Sequence, residues 1–143
     1  MIMGDSGAVT IYLYSFSYKY GPPPQDDSGN GGGYVFDCRG LPNPYWQEEL
    51  RPLNGREQPI VAFMASHPET AEYLEHCAGL VLASARVYAQ RGYERLMTAF
   101  GCTGGKHRSV YMAEQLCARL TREGFRVELT HLARERWQEE PTP

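Results

Sequence analysis

A glycine-rich run carrying three successive basic residues, Gly101-Cys102-Thr103-Gly104-Gly105-Lys106-His107-Arg108-Ser109, is the segment of this sequence best equipped for chemistry. Gly104 and Gly105 let the backbone turn its N–H groups inward, because glycine enters conformations that other residues resist. A helix starting just after them would add unpaired donors and a partial positive charge. Lys106, His107 and Arg108 then place fixed or switchable cations within one turn, and Arg108 can grip two oxygens at once. A nest of this kind favours phosphate. The plain alternative is a tight strand-to-helix turn whose basic residues face solvent.

Two known patterns bear on the run. A nucleotide P-loop needs GxxxxGK followed by Ser or Thr. Here the spacing from Gly101 to Gly105-Lys106 is one residue short, and His107 stands where the magnesium-binding hydroxyl belongs. The second pattern fits better: Cys102 to Arg108-Ser109 has the form C-x5-R-[ST] and resembles the phosphate loop of cysteine-dependent phosphatases. In that chemistry a Cys102 thiolate attacks phosphorus while backbone N–H groups and Arg108 hold the equatorial oxygens. Gly101 replaces the histidine usual there, and Asp26, Asp27 and Asp37 are the candidate general acids. A phosphatase is therefore the alternative reading of the loop.

A further set, Lys19, Asp37, Arg39 and Asn43, falls near the ends of the first two expected strands. In a parallel sheet these residues can lie beside the glycine run and hold sugar hydroxyls or a second phosphate edge; equally, they can be turn and surface residues. The chain's four cysteines and four histidines show no CxxC or HExxH spacing. No disulfide framework, structural metal or cofactor is expected from them. His76 stands alone, which favours an ordinary helix residue over a ligand.

The bulk properties narrow the partners. The chain has 143 residues and a net charge of −3, so a single domain is expected, with no broad field to attract nucleic acid. Met1 to Asp5 lacks a basic region followed by an apolar core, and the densest apolar run, Ala78 to Ala83, is too short to span a bilayer. A cytoplasmic location with reduced thiols, and no membrane partner, is the expectation.

The elements that must position these residues are legible in outline. Val9 to Phe16 reads as a strand and Tyr34 to Asp37 as a second. Between them, residues 22–33 form a Pro/Gly segment expected to be a mobile loop. Ser66-His67-Pro68-Glu69 has the form of a capping box. It would open a helix with Tyr73, Leu74, Cys77, Leu80, Val81, Ser84, Val87 and Tyr88 on its buried stripe and Gly92 at its end. Leu96 to Phe100 is a buried-type strand. After the glycine run, Val110, Ala113, Leu116, Cys117 and Leu120 define a helix ending at Gly124, and Phe125, Val127 and Leu129 alternate with polar residues in a last strand. Residues 132–143 read as a tail. The sum is an α/β domain over 1–143: a mainly parallel sheet flanked by helices, with a strand–loop–helix anion site at the carboxyl edge.

Several blocks occur in an order that identifies a family. They are Ser15-Phe16-Ser17-Tyr18-Lys19-Tyr20-Gly21, Phe36-Asp37-Cys38-Arg39, Leu41-Pro42-Asn43-Pro44-Tyr45-Trp46, Glu49-Leu50-Arg51-Pro52-Leu53-Asn54-Gly55 and Gly101 through Tyr111. From Tyr12 to His131 the chain closely resembles the C-terminal domain of the RNase adapter protein RapZ family. The resemblance implies a bacterial regulatory domain that senses glucosamine-6-phosphate and, in some members, binds small RNAs. It implies that Cys102, Thr103, Gly104, Gly105, Lys106, His107, Arg108 and Ser109 belong to the sugar-phosphate site with Lys19, Asp37 and Arg39. Tyr45 stands where a functional histidine occurs in the enterobacterial protein. The family's N-terminal kinase-like domain, with its ATP P-loop, has no counterpart in this sequence.

The expectation is thus a binding domain for a phosphorylated small molecule, not an enzyme. An RNA-binding module ranks third, because the acidic 25–33 loop and the glutamates of the tail leave RNA association weak and salt-dependent. A homo-oligomer and a protein partner stay open.

Overall fold

The computed structural model describes residues 9–139. Met1–Asp5 and the last four residues of the expected tail lie outside them. Four parallel strands, β1 (Thr10–Ser17), β2 (Tyr34–Asp37), β3 (Arg95–Cys102) and β4 (Arg126–His131), form one sheet in the order β2-β3-β1-β4. The helices are α1 (Gln58–Ala65), α2 (Pro68–Arg91) and α3 (Arg108–Arg122). This is the expected α/β architecture.

Alternation along the strands separates two faces. Ile11, Leu13, Leu96 and Phe100 enter the main core with Ile60, Met64, Val81, Met112 and Leu116 of the three helices. Phe16, Met97 and Ala99 form a smaller cluster on the other face, against Tyr14 and Tyr18. The Pro/Gly segment runs across that second face, where Pro24 to Asp27 line a cleft with Tyr12, Tyr14, Arg95 and Met97. The chain leaves β1 across one face and β3 across the other. A crevice between two such neighbouring strand ends is where open α/β sheets bind ligands.

The expected β3-α3-β4 unit is present, with β1 inserted between its two parallel strands. Helix α3 forms because its apolar residues recur at helical spacing: Val110, Met112, Ala113, Leu116 and Leu120 are buried, and Arg119 and Arg122 fill its last turn. Gly92 ends α2 in the left-handed conformation, φ 75°, as anticipated.

Three expectations are corrected. There is no capping box: His67 is the N-cap of α2, and the Ser66 hydroxyl donates backwards to the Phe63 carbonyl at 2.7 Å, closing α1. A short helix, Gln58–Ala65, thus precedes the expected one and uses the serine first. The buried stripe of α2 differs in part from that drawn from sequence: Cys77 and Val81 are buried and Tyr73, Leu74 and Tyr88 partly so, but Ala78, Leu82 and Ala85 complete the buried face while Leu80 is 51% and Val87 41% exposed. Finally, Phe125 precedes β4 and packs into the main core instead of opening the strand.

Candidate functional site

Register decides which residues meet. Ser17 pairs with Cys102 and Asp37 with Gly101, so β1, β2 and β3 end at one level of the sheet. The glycine run therefore stands between the segment following β1, with Lys19, and the turn following β2, with Arg39. Gly101 is required there, because a Cβ would lie 2.4 Å from the Phe16 ring and 2.6 Å from that of Tyr18. This crowding explains why no larger residue precedes Cys102.

The loop is braced from both sides. The Ser17 hydroxyl donates to the Thr103 carbonyl at 2.6 Å and accepts from the N–H groups of Lys19 and Tyr20. The Lys19 N–H also donates to the Thr103 carbonyl at 3.3 Å, and the Cys38 N–H to the Gly101 carbonyl at 2.7 Å. Gly105 carries the positive φ, 69°, with Ala133 and Ser17 close about it. The Trp137 indole donates to the Gly105 carbonyl at 3.0 Å. Carbonyls of the run are thus used by the fold, whereas the N–H groups of Thr103, Gly104 and Gly105 make no hydrogen bond to a described residue. Donors presented without partners at the start of α3 are the components of an anion nest.

Arg108 is buried, only 5% exposed. Its Nη1 donates to the carbonyl of Arg39 at 2.7 Å and to that of Leu41 at 3.3 Å. Its Nε is buried with no partner. In a guanidinium, Nε and Nη2 form the edge that grips two oxygens of an oxyanion. The fold fixes one corner of the side chain on backbone carbonyls, leaving Nε buried without a partner and Nη2 without a hydrogen bond to a described residue. An orphaned donor of this kind costs about 1–3 kcal/mol when nothing occupies it.

His107 departs from expectation. Burial, its largest influence, pushes its imidazole down to about 4, outweighing the Leu53 and Arg51 backbone carbonyls and acting with Lys106 and Arg108. It is neutral at physiological pH and adds no charge to the nest. Its backbone carries the Asn54-Gly55 turn: a Cβ on Gly55 would lie 2.5 Å from the His107 carbonyl oxygen, and the Gly55 N–H donates to Lys106 at 2.8 Å. Lys106 is likewise buried, 6% exposed.

Cys102 is 2% exposed; its Sγ lies 3.1 Å from the Ser109 hydroxyl and accepts from the Ser109 N–H at 3.3 Å. Of the three candidate acids, Asp27 pairs with Arg95, at the far end of β3 from the loop, and Asp26 caps the Ser28 turn. Asp37 is close, but both its oxygens accept from Arg39. No general acid is poised over the thiol among these three.

The Asp37–Arg39 pair is tight, Nη2 to Oδ2 at 2.7 Å, and half-exposed. The hydrogen bonds from Arg39 hold the Asp37 carboxyl below its ordinary range. The Arg39 guanidinium lies 3.8 Å from the centre of the Tyr18 ring, and the Tyr73 hydroxyl donates to the Asp37 carbonyl at 2.7 Å. Asn43 is a turn residue: its Oδ1 accepts from the Tyr45 N–H and caps the short turn Pro44–Trp46. Tyr45 holds Arg51, which donates to its carbonyl at 2.7 Å and stacks on its ring at 4.2 Å. Exposed His76 sits near Glu72 on the outside of α2, away from the loop.

Ser17, Tyr18, Arg51, Gly55, Tyr73 and Trp137 shape this edge although sequence reasoning did not select them as site residues. Ser17, Tyr18, Arg51 and Gly55 lie inside the family blocks, which is their only sequence signal.

The family follows from comparison with known sequences. A family model for the RapZ C-terminal domain matches residues 9–135. The chain belongs to that family. It is 47% identical over 130 residues to a nucleotide-binding protein of Frankia alni, covering 90% of this chain and 43% of the relative. A nucleotide-binding protein of Corynebacterium jeikeium is 40% identical over 132 residues, covering 92% of this chain and 43% of the relative. One from Parafrankia is 43% identical over 119 residues, 83% and 39%. The RapZ-like chain thus spans about two fifths of the length of these relatives. No helix among its described residues is long and apolar enough to cross a membrane.

Proposed function

We propose that this domain binds a small phosphorylated metabolite, its phosphate seated on the Cys102–Ser109 loop and its remainder turned toward Lys19, Asp37 and Arg39. The observation that carries the reading is Arg108, anchored through Nη1 on two carbonyls with its oxyanion-gripping edge unsatisfied. The partnerless N–H groups of Thr103 to Gly105 support it. The relatives' naming as nucleotide-binding proteins is compatible with a phosphorylated ligand. Among such ligands an amino-sugar phosphate, glucosamine-6-phosphate, is the one the family resemblance implies. The Asp37 carboxylate accepts the backbone N–H, Nε and Nη2 of Arg39, three protons against about four lone-pair sites, so one acceptor position is left for an ammonium group.

The domain senses rather than transforms in this reading, because the thiol of Cys102 is enclosed and Asp26 and Asp27 stand away from it. Calorimetric titration with glucosamine-6-phosphate tests it. Binding that weakens at least tenfold in Arg108→Ala is expected, from the roughly 1.5–3 kcal/mol of a charge-assisted bond. Equal affinity in both proteins would sink the assignment.

A further inference from the structure

Six of the twelve arginines in the described fold pair with a carboxylate: Arg39, Arg56, Arg86, Arg95, Arg119 and Arg136. Arg51 is held in the manner of Arg108. Its Nε donates to the Tyr45 carbonyl at 2.7 Å and its guanidinium lies flat on the Tyr45 ring at 4.2 Å, with no described carboxylate paired to it. A backbone carbonyl and a neutral ring fix the position of a cation without cancelling its charge.

That guanidinium lines a cleft of about 320 Å³, together with Pro52, Trp137, Glu48, Glu139 and the buried Lys106 of the glycine loop. The volume is at the lower bound of small-molecule sites. The cleft is contiguous with the anion nest, because Lys106 belongs to both and Trp137 is bonded to the Gly105 carbonyl. Glu139 is drawn off by Arg136 at 3.3 Å, and Glu48 forms no ion pair with Arg51. The cleft therefore holds a pre-positioned cation with no described carboxylate paired to it, and it meets the phosphate nest at Lys106.

We infer that Arg51 and this cleft form a second oxyanion subsite, so that the domain prefers small molecules bearing two phosphoryl groups over their monophosphates. This rests on the reading of the loop as a phosphate site and goes beyond it. A monophosphate fills the loop alone; a bisphosphate reaches Arg51 as well, and its second group gains a charge-assisted contact whose donor is already immobilised.

The test is a calorimetric series with orthophosphate, pyrophosphate and fructose 1,6-bisphosphate on the wild type, Arg51→Ala, Arg51→Lys and Arg108→Ala. At least one doubly phosphorylated probe should bind the wild type tenfold or more tightly than orthophosphate. Arg51→Ala should abolish that advantage while holding orthophosphate affinity within about twofold. Arg51→Lys keeps charge without the flat, carbonyl-fixed fork and should restore part of it. Arg108→Ala should weaken every probe. Equal wild-type affinities for all three probes, or an Arg51→Ala loss equal across them, overturns the second subsite while leaving the loop intact. If Arg108→Ala changes nothing, the loop reading itself has failed. Should Arg51→Ala unfold, as seen by circular dichroism, the Arg51→Lys comparison decides: an undiminished bisphosphate advantage there refutes the planar fork.

Discussion

Arg39 and Arg108 stand at the same carboxyl edge of the sheet and are used in opposite ways. Arg39 is half-exposed, satisfied by both oxygens of Asp37 and stacked on Tyr18. Arg108 is buried, held at one corner by carbonyls and left with an unsatisfied edge. The first arrangement uses its charge within the fold; the second holds charge in place with no described carboxylate in an ion pair with it. A surface ion pair contributes little to stability, whereas an orphaned buried donor is a cost that folding tolerates when a ligand repays it. The difference teaches where the binding energy of this domain should reside, and it can be tested by breaking each side separately.

The largest effect expected is on stability, and it sets apart the third basic residue of the loop. His107 is held near 4 in the fold against about 6.5 in an unfolded chain. As pH falls through 6.5 the unfolded state takes up a proton that the folded state refuses, so stability drops. The loss continues down to about 4, below which both states are protonated and this residue contributes no further change. At 1.36 kcal/mol per unit the loss is about 3 kcal/mol. Urea unfolding at pH 7 and pH 4 on the wild type and His107→Gln measures it; equal slopes in the two proteins would mean that His107 is not the buried neutral group described.

Next comes the direct comparison of the two arginines. Arg108→Ala should weaken phosphosugar binding by about ten- to a hundredfold, while Arg39→Ala should change orthophosphate binding by no more than about twofold, because its charge is already paired. If Arg39→Ala is the more damaging for orthophosphate, the phosphate is not on the glycine loop. Turnover separates the phosphatase alternative: the wild type is expected to leave an aryl phosphate intact, and hydrolysis that vanishes in Cys102→Ser would reverse that reading.

Much of this edge was legible beforehand because it follows from periodicity. The apolar run Leu96 to Phe100, the helical spacing from Val110 to Leu120 and the alternation through Val127 and Leu129 define a strand, a helix and a strand, and the loop joining the first two must hold Gly101 to Ser109. What escaped depends on contacts between distant segments. Ser66 satisfies both a capping box and the end of a preceding helix, and only the packing of α1 decides which. On α2 Ala78 and Ala85 are fully buried while Leu80 and Val87 stay exposed, a packing choice that hydrophobicity alone does not encode. The neutrality of His107 is not visible locally, because its burial comes from tertiary packing; Gly55, many residues away in sequence, lies close against its backbone carbonyl. Arg51 is signalled only by its place in a family block, because the Tyr45 carbonyl and ring that fix it are brought to it by the turn between them.

The smallest effect concerns Asp37, and it sharpens the other half of the comparison. If the Arg39 pair is more than a surface contact, the carboxylate should favour a ligand ammonium over the hydroxyl of the plain sugar. Asp37 is about half-exposed, with a side-chain accessibility of 47%, and one cation already engages both of its oxygens. Solvent screening and that prior pairing limit an added ammonium contact to the range of exposed ion pairs, about 0.2–1 kcal/mol. Wild type should therefore prefer glucosamine-6-phosphate over glucose-6-phosphate by no more than about fivefold, and the preference should shrink as salt is raised. Asp37→Asn keeps the shape and removes the charge, so it should bring the two affinities together while leaving orthophosphate binding at the loop unchanged. Hydrogen bonds from Arg39 hold the Asp37 carboxyl below its ordinary range, so the preference should persist as pH falls from 7 toward the usual carboxylate range, disappearing only at more acidic pH. An identical ratio in wild type and Asp37→Asn would show that the carboxylate does not read the amine and that the pair serves the turn after β2 alone.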